Sequence, residues 1–166
     1  MKQIKREYLR STLFGVEDSL VSTTGLIAGL SVGANSNRIV ILGGVVAIVI
    51  EAVSMGAGEY LSDDAVKELD KIDRNPESAS VSGLLMFSSY LLAGLIPLTP
   101  ILILDYPTSL ITSVLAALAA LFLLGYVKGR ILRVSAFKGG LKILIIGGLA
   151  TALGIIVGFL FKIQNL

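Results

Sequence analysis

The chain contains no cysteine, no histidine and no tryptophan. Without thiols there are no disulfides and no thiolate ligands, and without imidazole the commonest catalytic base is gone. No serine in the sequence has an obvious base partner, so an intramembrane enzyme ranks last among the readings. Charge is also sparse, at 16% of residues, against 54% hydrophobic residues. A soluble domain needs a more polar surface than this composition can supply.

What the chain has instead is long apolar runs. They fall at 12–34, 39–61, 81–104, 108–127 and 139–161, each long enough to cross a bilayer at roughly 20 residues per helical span. The 166 residues are therefore read as one all-α membrane domain of five transmembrane helices, 1–166, with no extramembrane domain. The basic stretch Met1 to Arg10 resembles the start of a signal peptide. The apolar segment after it contains Glu17 and Asp18 and runs past a signal's length, so it reads as a retained span. Asn35 to Arg38 and Asp105-Tyr106-Pro107 read as turns, Lys128 to Lys138 as a basic loop, and 62–80 as a short charged linker.

Placing alternate connections on opposite sides puts twelve of the fourteen Lys and Arg residues on one side, leaving only Arg38 and Lys162 on the other. By the positive-inside rule the N-terminus and the 62–80 linker are cytoplasmic and the C-terminus extracytoplasmic. Small residues recur every four positions at Gly25, Gly29 and Gly33 in the first run and at Ala150, Gly154 and Gly158 in the fifth. Such rows allow close backbone approach, either within one subunit or at a homodimer seam. Pro97 and Pro100 are expected to kink the third helix and free backbone carbonyls there.

The chemistry rests on carboxylates inside the spans. A buried charge costs on the order of 3 kcal/mol even on a lenient insertion scale, and it marks a functional site by default. Glu17, Asp18, Glu51 and Glu59 qualify. At ~1.5 Å per residue, Asp18 and Met55 each lie ~8–9 Å from the cytoplasmic edge, and Glu51 ~15 Å. Glu51, Met55 and Glu59 are spaced by four and share one helix face. Carboxylate oxygens beside a thioether suit a borderline divalent ion such as iron(II) or manganese(II) better than calcium or magnesium. The plainer alternatives are a solvated helix end for Glu59, core filling for Met55, and structural hydrogen bonds from Asp18 and Glu51 to Ser22, Thr23 or Ser54. In the linker, Asp63 with Lys67 and Asp70 with Arg74 have the spacing of ion pairs on the surface of a solvated helix; Asp70, Asp73 and Glu77 could instead form a weak metal-collecting face.

The segments LFGVEDSLVSTTGLIAGL, EAVSMGAGEYLS, YLLAGLIPLTP, LFLLGYVKGR and GLKILIIGGLATALG occur in that order along nearly the whole chain. In these the sequence resembles the vacuolar iron transporter family. The resemblance implies five spans, a homodimer, an iron(II) or manganese(II) pathway between subunits and exchange for protons. By the same resemblance Asp18 matches the pathway acid of the first span, Met55 the methionine of the second-span motif and Glu59 the acid of its GEY motif. There are two departures. Glu17-Asp18-Ser19 stands where the family usually has Asn-Asp-Gly, and only 62–80 remains of a long cytoplasmic metal-binding insertion.

The reading is therefore a carrier that moves iron(II) or manganese(II) out of the cytoplasm, with metal candidates Asp18, Met55, Glu51, Glu59 and Glu17. Burial favours a proton on Asp18 and Glu51 whenever no ion is bound, so each site holds either protons or metal. The ion is cargo, and no cofactor is expected. The expected partners are the divalent ion, the lipid bilayer and a second copy of the chain, with no nucleic acid. The membrane is the cell membrane in a prokaryote or the vacuolar membrane in a eukaryote. A passive divalent-cation channel and a non-transporting scaffold subunit are the rival readings.

Overall fold

A chain this apolar must satisfy its backbone hydrogen bonds within each segment, and the helix is the local way to do so. The computed structural model describes residues 2–34, 36–70 and 77–162. They form five helices: α1 (Lys2–Ala34), α2 (Asn37–Asp70), α3 (Glu77–Ile103), α4 (Thr108–Ile131) and α5 (Ala136–Leu160). Lys71, Asp73 and Arg74 of the linker lie outside the described residues, as do the side chains of Lys67, Asp70 and Glu77.

Four helices contain stretches long and apolar enough to cross a membrane: Asn37–Val66, Ala79–Ile103, Thr108–Ile131 and Ala136–Leu160. α1 is not among them. Its acids and hydroxyls dilute the apolar run, and its place in the bundle explains how it carries them. α1 touches all four other helices and packs most extensively on α3 and α5. Its Ser11, Ser19, Thr23, Thr24 and Ser31 are buried. Several of these hydroxyls are satisfied by backbone: Ser19 donates to the Tyr90 carbonyl at 2.7 Å, and Thr24 donates to the carbonyl of Leu20, one turn back. Two apolar clusters flank this polar axis. Ile27, Val40, Ile48, Leu98 and Ile101 join α1, α2 and α3, and Leu20, Ala93, Leu121 and Ile143 join α1, α3, α4 and α5.

The two glycine rows meet each other inside one chain. A Cβ on Gly29 would stand 2.8 Å from the Gly154 carbonyl oxygen, and one on Gly33 3.1 Å from that of Gly158. Of the two uses open to these rows, the structure assigns them to the α1–α5 contact within the subunit. Both prolines lie inside α3, which continues as helix through them. The Pro97 carbonyl accepts a hydrogen bond from Ser113 of α4 at 2.5 Å.

The basic segment 128–138 is mostly helix. Lys128 and Arg130 ride the last turn of α4 and Lys138 the first turn of α5, so the connection shrinks to residues 132–135. Backbone bonds hold it tight, with Val134 N donating to Gly129 O at 3.0 Å and Arg133 in the left-handed region at φ 56°. A Cβ at Gly129 would lie 2.6 Å from the Ala136 Cα, which is why the hairpin closes only around glycine. The first part of the linker is helical, as its helix-surface ion-pair spacing implies, since α2 continues to Asp70. Its 34 residues span ~51 Å, well beyond a ~30 Å hydrocarbon core.

Long-range pairs fix which ends lie together. Arg10 of α1 meets Glu59 of α2, and Glu17 of α1 meets Lys128 of α4. At the opposite end the Asn37 amide donates to the Leu104 carbonyl at 2.9 Å.

Candidate metal pathway between the first two helices

α1 and α2 run antiparallel, and α1 is held more closely by α3 and α5 than by α2. An open groove of about 580 Å³ runs over α1, with α5 along one side and Ile39 and Glu51 of α2 on the other, Ser22 among its walls and the glycine row Gly25, Gly29 and Gly33 at its base. Most of its lining is apolar, from Leu26, Leu30, Ile39, Leu153 and Val157. Glu51 is therefore the one ionisable group among the lining residues.

Glu51 does not stand alone. The Tyr90 hydroxyl, from α3, donates to a Glu51 carboxylate oxygen, and Ser22 reaches the same oxygen at 3.2 Å. Ser22 and Tyr90 hydroxyls are themselves 2.6 Å apart. Tyr90 is fully buried, so its ring acts as a fixed post and its hydroxyl sets where the carboxylate points. Three helices thus converge on one oxygen.

Asp18 lies one turn from Ser22 on α1 and is half-buried. It feels the negative charge of Glu51 and of Glu17. Among the described residues it has neither a hydrogen-bond donor nor a cation beside it. The contacts Ser11–Glu59 and Ser22–Glu51 set the antiparallel register, which brings Asp18 level with the turn of α2 that carries Met55. Met55 is half-buried there.

The other two acids are already engaged. A Glu17 carboxylate oxygen lies 3.2 Å from the Lys128 ammonium. Glu59 accepts from Arg10 at 3.0 Å and from the Ser11 hydroxyl at 2.5 Å, with its side chain 11% exposed. It is neither a freely solvated helix end nor a vacant ligand. Among the described residues no three acids converge as a ready metal cluster. Among the described residues the four acids separate into two without a cation partner, Asp18 and Glu51, and two paired with one, Glu17 and Glu59.

Sequence reasoning missed Tyr90. A tyrosine in an apolar segment with its hydroxyl needing a partner is the only signal it gave, and the partner sits 39 residues away.

The sequence is similar to that of known proteins over most of its length. The VIT family model matches residues 9–82 and 65–159. Vacuolar iron transporter 1 of Oryza sativa subsp. japonica is 26% identical over an alignment of 207 residues, covering 88% of this chain and 82% of the rice protein. Vacuolar iron transporter 1 of Eucalyptus grandis is 28% identical, covering 88% and 83%. Vacuolar iron transporter homolog 2 of Arabidopsis thaliana is 26% identical over 162 residues, covering 89% and 81%.

The fold and these matches define a multi-pass membrane protein of a transporter class, not an enzyme. The chain belongs to the VIT family. Within it, this is a short form. The rice alignment is 207 positions long and the Arabidopsis one 162 for nearly the same share of this chain; the additional length is segment that this chain does not have.

Proposed function

We propose that the protein carries iron(II) or manganese(II) out of the cytoplasm in exchange for protons, by way of Asp18 and Met55 and of the groove over α1 that Glu51 lines. The observation that carries this reading is Asp18: a half-buried carboxylate that feels the charge of Glu51 and Glu17 and has, among the described residues, no cation or hydrogen-bond donor beside it. Such a group is stabilised by taking either a proton or a metal ion, and a carrier needs a site with those two states. Glu51, held by Tyr90 and Ser22, supplies the next oxygen deeper in the groove, and Met55 supplies a soft ligand that favours transition metals over calcium.

In this reading α1 is the fifth span of a single 1–166 membrane domain, admitted despite its acids because it packs against all four other helices. The N-terminus is cytoplasmic, as the clustering of cations at one end of the bundle supports. Two acids and a thioether leave a divalent ion under-coordinated, and a second copy laid against the groove completes the set, so the working unit is a homodimer. The matched relatives, named as vacuolar iron transporters, support iron as cargo. The host membrane is vacuolar in a eukaryote and the cell membrane in a prokaryote.

The test is metal flux into proteoliposomes holding the purified protein. Iron(II) or manganese(II) is expected to accumulate against its gradient when a pH gradient is imposed, and Asp18→Asn is expected to bring flux to background while the protein remains folded. Flux that only runs downhill makes the protein a channel. No flux in the wild type, or wild-type flux in Asp18→Asn, removes the proposal.

A further inference from the structure

A second cavity, of about 270 Å³, opens at the α4–α5 hairpin. Its polar walls are Lys128, Lys142 and Glu17, and its apolar walls include Leu132, Val134, Ile143 and Ile146. We propose that this cavity binds an anionic phospholipid, the phosphate lying between the Lys128 and Lys142 ammonium groups and the acyl chains along the apolar wall.

Three observations carry it. The first is position: the cavity lies at the end of two membrane helices, where Leu132, Val134 and Phe137 are exposed at 56%, 62% and 64% among Arg130, Arg133 and Lys138. Exposed apolar and basic residues interleaved at a helix end belong at headgroup depth. The second is charge. Two ammonium groups face one carboxylate in the cavity, and Lys142 has no carboxylate partner among the described residues. One positive charge is left over beside an apolar wall, which fits a phosphate joined to hydrocarbon better than a soluble anion.

The third is accessibility of the existing pair. The Lys128 and Glu17 side chains are 37% and 24% exposed, so an incoming phosphate can reach the ammonium without unfolding anything. Lys interacts as a point charge and exchanges one oxyanion for another readily. A phosphate bound there competes with Glu17 for Lys128. Glu17, once released, adds its charge to the neighbourhood of Asp18, which it already influences. Lipid in the hairpin would thereby raise the negative charge beside Asp18. The binding itself does not depend on what the groove transports.

Lipid retention on the detergent-purified protein, followed by native mass spectrometry during titration with phosphatidylglycerol or phosphatidylcholine, tests the site. Phosphatidylglycerol is expected to be retained and phosphatidylcholine not. Lys142→Gln is expected to weaken phosphatidylglycerol binding about fivefold, the effect of one basic residue at a charged membrane surface. Lys138→Gln, on the same hairpin but outside the cavity, is expected to bind like the wild type, and Glu17→Gln more tightly because the competitor is gone. Equal retention of both lipids, or equal losses in Lys142→Gln and Lys138→Gln, would overturn the site in favour of unspecific surface contact. Displacement of the lipid by inorganic phosphate at millimolar concentration would overturn it in favour of a soluble-anion site. Because the readout is lipid and not flux, its failure is separate from any failure of the transport reading.

Discussion

α1 presents two unlike sides to its neighbours. Toward α5 it is closed: Gly25, Gly29 and Gly33 lie against Ala150, Gly154 and Gly158, backbone to backbone. Toward α2 it is less closely packed, and there Ser22 and Glu51 are reachable from the groove whose base the glycine row forms. Both sides are built on residues repeated every four positions, the glycine rows in one case and Glu51, Met55 and Glu59 in the other. The period says only that the residues share a face. What differs is side-chain chemistry, small residues that remove the space between helices against acids and a thioether that need space filled by something else. Packing and site are therefore separable, and substitutions should separate them.

The largest effect is expected at the seam. A Cβ on Gly154 collides with the backbone of Gly25, which cannot swing aside as a side chain can. Gly154→Leu is expected to cost about 3 kcal/mol or more, the upper range for overpacking, and to leave little monodisperse protein on size exclusion in detergent. Its neighbour Leu153 is 61% exposed, and Leu153→Ala is expected to stay within about 0.5 kcal/mol by thermal unfolding. Equal melting temperatures for the two variants would mean that the α1–α5 seam is not what holds the bundle.

The seam and the groove were unequally legible in the sequence. The glycine rows were visible, but spacing could not say whether the partner was the same chain or another; that depends on which helices become neighbours. Apolar runs located the helices and understated their lengths, because hydropathy marks the hydrocarbon-crossing stretch while backbone hydrogen bonding continues into charged residues such as those of 62–70. Asp18 and Glu51 stood out because charge is rare in such segments. The engagement of Glu17 by Lys128, 111 positions away, and of Glu59 by Arg10, 49 positions away, did not. Those pairs follow from helix arrangement, which no local pattern encodes.

A smaller and different effect is expected in the groove at Glu51. Glu51→Gln keeps a carbonyl acceptor for the Tyr90 hydroxyl and an oxygen for a passing ion, but it cannot titrate. Proton counterflow in proteoliposomes is expected to fall to background while downhill metal flux is reduced less, with thermal stability close to wild type. Proton counterflow that persists in Glu51→Gln and vanishes in Asp18→Asn would move the coupling role to Asp18 and leave Glu51 as a structural acid.

The smallest effect distinguishes a hydrogen bond that positions the site from one that only packs it. Tyr90→Phe leaves the buried ring in place and removes the hydroxyl that Glu51 and Ser22 share. Ser113→Ala removes the bond from α4 to the Pro97 carbonyl, a contact of similar burial that lies outside the groove lining. Ser113→Ala loses one hydrogen bond and Tyr90→Phe two, so at about 1 kcal/mol per bond the two are expected to cost about 1 and about 2 kcal/mol in thermal unfolding. Only Tyr90→Phe should also change transport. Without its tyrosine post the Glu51 carboxylate keeps Ser22 alone, which is itself exposed to the groove, and the oxygen is free to turn. A weaker apparent affinity for metal with an unchanged amount of folded protein is the expected signature. If both variants transport alike, Tyr90 is a packing residue, and the geometry of Glu51 is set by the ion instead of by the protein.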